Sequence, residues 1–95
     1  AGRGELREEA LRHMKRLIDL HLDRSVQELA RLKDEAERGL PEHLPVIRGD
    51  AERVVRLCRS LFHYLRDWFP DKKEQAERDL KIVNYFWERI ARLAK

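Results

Sequence analysis

The chain has one cysteine in 95 residues, Cys58, so no internal disulfide can form and the fold must hold by packing alone. Glycine and proline are scarce, at four and three, which excludes collagen-like and low-complexity classes. No apolar run approaches the roughly 18 residues of a membrane span. Neither sign of charge dominates: 21 basic and 18 acidic side chains leave a net +3. Ten of each fall in residues 1–49, against eleven and eight in residues 50–95. That even spread is not the footprint of a nucleic-acid binder. No glycine-rich phosphate loop, His-Glu-x-x-His motif or inward Glu-x-x-His pair occurs. The opening Ala1-Gly2-Arg3-Gly4 lacks the apolar stretch of a secretory signal and has the look of a processed end. A soluble chain is expected, and its location is not encoded.

What is present points to helices. Hydrophobic residues make up 42% and charged residues 41%, the mixture of an all-α domain with solvated outer faces. Ninety-five residues suffice for one compact domain, 1–95, which buries about 60–65% of the surface of its unfolded chain. Leu6, Ala10, Leu11, Met14, Leu17, Ile18 and Leu22 recur at three and four residues, and Val26, Leu29, Leu32 and Ala36 continue the stripe. Its centre drifts by roughly 80° round the wheel, more than an unbroken straight helix explains. Ser25 and Glu28 have capping-box spacing. The first helix is therefore either long and bent or broken near Ser25.

Residues 39–49 read as irregular, with Gly39 after a helix end and Pro41 and Pro45 disfavouring helix before them. Leu40, Leu44, Val46 and Ile47 within it are apolar enough to close the end of a bundle. Asp50 suits the N-cap of the next helix, which runs to Trp68. Half its circumference is apolar, from Val54 and Val55 through Leu57, Cys58, Leu61, Phe62, Tyr64 and Leu65 to Trp68 and Phe69. Pro70 ends it, and Asp71 with Glu74 repeats the capping-box spacing. The last helix carries Ala76, Leu80, Ile82, Val83, Phe86, Trp87, Ile90, Ala91, Leu93 and Ala94. Stripes this wide suit helices wedged between two neighbours. The expected architecture is all-α: a small antiparallel bundle of three helices with a long bent first helix, or of four if that helix breaks near Ser25.

His21 lies at the centre of the first apolar arc, which predicts an imidazole more than half buried and held neutral by desolvation. A satisfied core histidine is the plain expectation. An acid, base or ligand role in a pocket beside it is the enzyme or cofactor-binding alternative, and whether the chain is an enzyme stays open. His13 lies eight residues from His21, about 12 Å along a helix, so the two cannot share one zinc ion. No metal site and no cofactor are expected. Cys58, mid-arc and without a neighbouring base, reads as core filler. Arg56, Arg59, His63 and Arg66 with Arg78, Lys81, Arg89, Arg92 and Tyr85 could meet phosphates and stack a base. Glu52, Asp67, Glu77 and Glu88 dilute that field, so nucleic acid is an unfavoured partner, and a membrane is less favoured still.

Recognition of a protein through a helical face remains, by a monomer or weak homodimer. Arginine and tyrosine are enriched at binding hot spots, which singles out Tyr85, Arg89 and Arg78 on the outer face of the last helix. In overall style, the Pro70-Asp71 turn, the Glu/Arg/Lys-rich outer faces and the filled apolar stripes resemble de novo designed helical mini-proteins, including those built to mimic four-helix cytokines or to bind a chosen target. Four histidines, a cysteine and the irregular segment depart from idealised designs. The resemblance implies a contact surface on the first helix at His13, Lys15, Arg16 and Asp19.

Overall fold

The computed structural model describes residues 3–95 and contains three α-helices, no strand and no positive-φ residue among them. Helix α1 spans Arg3–Arg38, α2 Leu44–Trp68 and α3 Lys73–Leu93. Single 3-10 turns at Pro41–His43 and Pro70–Lys72 join them. Each helix packs on both others. The short connections make α2 antiparallel to α1 and to α3. The molecule is a rod of 58 × 20 × 15 Å, as long as α1 requires at about 1.5 Å per residue.

The expected all-α bundle is therefore present in its three-helix form. Ser25 does not break α1. It lies half-buried beside the Cys58 thiol of α2, so its hydroxyl meets another helix instead of capping its own. Arg31 bridges Glu28 and Glu35, and Lys33 reaches Glu37 at 3.2 Å, which supports the following turns at the few tenths of a kcal/mol usual for exposed pairs.

The irregular segment is shorter than its prolines suggest, because α2 starts at Leu44 instead of after Asp50. Both prolines sit in first turns, Pro41 of the 3-10 turn and Pro45 of α2. There the missing N–H had no helical partner to lose. Leu40 is extended before Pro41, as steric crowding demands, but Leu44 is helical before Pro45. Asp50 thus lies inside α2 and pairs with Arg53. Of the segment's apolar residues Ile47 is buried and Leu44 half-buried, while Leu40 and Val46 stay exposed. Glycine is needed at Gly39, where a Cβ would stand 2.5 Å from the Glu35 carbonyl oxygen.

At the other turn Phe69 is buried and its N–H donates to the Leu65 carbonyl at 3.0 Å. The capping box is not formed, since α3 begins without a side-chain cap. Asp71 instead accepts a bond from the Lys15 ammonium of α1 at 2.7 Å. The core runs the length of the hairpin: Ile18, Leu22, Leu29, Leu32 and Ala36 from α1; Ile47, Ala51, Val55, Cys58, Phe62, Leu65 and Phe69 from α2 and its end; Ala76, Val83 and Ile90 from α3. Phe86 and Trp87 are half-buried against it.

Candidate protein-docking face

Cores of three helices leave part of each apolar arc uncovered, and here the uncovered parts lie together. On α2 the buried residues face α1 and α3, while Leu57, Tyr64 and Trp68 fall about 100° round the helix from the middle of that face. They retain 49%, 53% and 54% of their surface. Arg59 donates to Asn84 of α3 at 3.0 Å from the opposite side of α2, so the exposed trio borders α1, with half-buried Leu61 between. On α1, Leu6, Ala10, Met14 and Leu17 are exposed on the side away from α3, whose neighbours on α1 are Asp19, Asp23 and Val26. Met14 and Leu17 therefore flank the α1–α2 seam together with the α2 trio, while Leu6 and Ala10 lie beyond the end of α2.

The register brings them level. Ser25 lies beside Cys58 and Lys15 bonds Asp71, so antiparallel counting sets Leu17 against the last turn of α2 and His21 near Tyr64. The result is one apolar face of two leucines, a methionine, a tyrosine and a tryptophan, with His21 among them. A patch of this kind on a small protein marks an interaction site more often than chance exposure.

The contact residues singled out from sequence are placed elsewhere, while His21 borders this face. His21 is exposed, not buried: its ring lies between the core-facing side of α1 and the Leu6–Leu17 stripe and is covered by neither. It lines neither of the two larger hollows. Leu57, Tyr64, Trp68 and Ile82, expected inside, are exposed as well. Tyr85 is exposed as expected and leans on Phe86 with ring centres 5.9 Å apart. Arg78 is exposed, and Arg89 reaches Glu37 of α1 at 3.2 Å; the hydrogen bond from Lys33, followed by that from Arg89, holds the Glu37 carboxyl below its ordinary range. His13 and Arg16 are exposed and share a shallow hollow with Glu9 and Arg12. Glu37 lies about 36 Å along α1 from His13, so the Tyr85–Arg89 group and the His13–Arg16 group cannot serve one small contact. Asp19 is half-buried in a groove of about 420 Å³ between α1 and α3, with Asp23, Asp79, Lys72 and Gln75 round an apolar floor.

No family model, curated protein or solved structure matches the chain. The functional reading rests on the geometry. Burial pushes the Cys58 thiol up, and the nearby Ser25 hydroxyl draws it back only in part, so the thiol packs as a small apolar group at neutral pH. No described helix is long and apolar enough to cross a membrane.

Proposed function

We propose that the chain is a protein-binding helical module whose contact surface is the α1–α2 apolar face. The observation that carries this reading is the exposure of Tyr64 and Trp68 beside Leu57 and Leu17 on one side of the molecule. Tyrosine and tryptophan supply large contact area at low entropy cost and have a polar atom to spare, which is why they dominate hot spots. A shallow seam between two antiparallel helices accepts a third amphipathic helix, whose own anchors at i, i+3, i+4 and i+7 would fill it. The resemblance to designed mini-proteins agrees with this use, because such bundles present one helical face to a target.

The test follows the emission of Trp68. With Trp87→Phe as background, Trp68 is the remaining indole, and docking of an amphipathic helical peptide shifts its emission to the blue. Leu57→Ser with Tyr64→Ser abolishes the shift and leaves the helical circular dichroism and unfolding midpoint unchanged. Peptide binding that survives this pair but is lost with Tyr85→Ala or Arg78→Ala would move the contact to α3 and overturn the proposal.

A further inference from the structure

Where a carboxylate of this protein is partly withdrawn from water, a basic side chain meets it: Arg31 bonds Glu28, Lys33 and Arg89 bond Glu37, and Arg53 bonds Asp50. Asp19 and Asp79 are the exception. Both are half-buried, and among the described residues neither has an ion-pair or side-chain hydrogen-bond partner. They line opposite walls of one groove, α1 on one side and α3 on the other, with exposed Asp23 beside them. Asp23 accepts a bond from Gln27 at 3.1 Å and keeps further acceptor capacity. The floor of the groove is the core itself, at Leu22, Phe62 and Leu65, and Val26 and Ile82 extend it along the helices. A carboxylate set against apolar walls loses hydration and gains most from a cation held there.

The lining sets the sign and the place of the occupant's charge. Three carboxylates, Asp19, Asp23 and Asp79, face one ammonium, Lys72. Lys72 stands at the end nearer the α2–α3 turn and donates to Gln75 at 3.3 Å. The nearest further cations are committed or lie outside: Lys15, one turn before Asp19, bonds Asp71; Arg16 lines the hollow it shares with Glu9, Arg12 and His13; and Arg78 is exposed beyond the rim. Helices α1 and α3 run parallel, and the Lys15–Asp71 and Glu37–Arg89 bonds set Asp23 within about one turn of Asp79 and Val26 within about one turn of Ile82. Packed helices lie about 8–10 Å apart, so carboxylates on the two walls are within reach of one cationic group between them. An apolar body attached to that group lies over Leu22 and Phe62 toward Val26 and Ile82. A hollow of about 420 Å³ with an apolar floor and a few polar groups to fix orientation is of small-molecule size. We infer that the α1–α3 groove binds a small organic cation, an ammonium on an apolar body, with its head between Asp19, Asp23 and Asp79. The groove is on the flank of α1 away from the docking face, so the two readings stand or fall separately.

Phenylbutylamine, phenylbutanol and phenylbutyrate share one body and differ in head group, which makes them the probes. Amide NMR spectra of the full chain read their binding. The amine is expected to bind and to shift the amides from Asp19 to Val26 and from Gln75 to Ile82. The alcohol binds about tenfold more weakly and the butyrate not at all, because the charged head supplies what a charge-assisted hydrogen bond does. Asp19→Asn with Asp79→Asn keeps the shape of the walls and weakens the amine by about tenfold, to the level of the alcohol. Leu57→Ser with Tyr64→Ser leaves the amine's affinity unchanged. Equal affinity for amine and alcohol in the parent chain, a comparison that needs no variant, overturns the inference. Amine binding that survives the asparagine pair, or shifts confined to the α1–α2 face, overturns it as well.

Discussion

Leu29 has no accessible surface, while Leu17, about 18 Å earlier on α1, keeps 42% of its own. Truncating Leu29 leaves a void that a close-packed interior fills poorly, so Leu29→Ala costs about 2–5 kcal/mol in urea unfolding. Leu17→Ala, measured in dilute solution, changes stability by less than about 1 kcal/mol, because nearly half of the side chain already lies in water and alanine favours the helix. Equal losses at the two positions would show that α1 buries both sides. The contrast also explains which residues could be read in advance. Cys58 was legible as core because α2 has one dominant buried direction and the thiol points along it. His21 was not, because α1 carries two overlapping stripes: Leu11, Ile18, Leu22, Leu29, Leu32 and Ala36 toward the hairpin, and Leu6, Ala10, Met14 and Leu17 toward solvent. Averaged on one wheel, the two sets centre near His21, where neither buries anything. The wheel adds apolar residues without asking whether a neighbour exists at that height.

At the scale of the elements, the helices themselves were legible and their ends were not. Periodicity settles the type of a long segment, whereas an end depends on which partner a side chain chooses. Asp50 and Asp71 both look like caps, yet each pairs with a cation instead, Arg53 within α2 and Lys15 across the bundle. The second choice ties the start of the packed part of α1 to the α2–α3 turn and has a pH signature. Bonding to the Lys15 ammonium holds the Asp71 carboxyl below its ordinary value. A carboxyl lowered in the folded state contributes stability above the unfolded value of about 3.9, and that contribution is lost as pH falls toward the folded value. The melting midpoint should therefore fall more steeply between about pH 4 and pH 2 in the parent chain than in Lys15→Met. Glu28 and Glu37, also lowered by basic partners, are common to both proteins and cancel in the difference. Parallel pH profiles would mean that the Lys15–Asp71 pair does not form in solution.

At the scale of the whole molecule, the apolar arcs of half a circumference were read correctly in the sequence, but three helices cannot cover them. In a rod only 20 Å by 15 Å in section, every helix is also surface, and an arc that wide must show part of itself unless a fourth helix arrives. The chain has no fourth helix among its described residues, and its longest helix overshoots the other two. A second copy of the chain, were it to supply that fourth element, would at the same time cover the projecting turns of the first. If so, folding and association share one equilibrium and thermal stability must depend on concentration. Above the dissociation constant, each tenfold rise in chain concentration adds about 0.7 kcal/mol per chain, a rise in midpoint of about 4 °C for a domain of this size. Leu6→Glu should flatten this dependence while leaving the dilute midpoint where it was, since Leu6 contributes nothing to the monomer's core. A concentration-independent midpoint in the parent chain would mean that the exposed seam is left for a different protein.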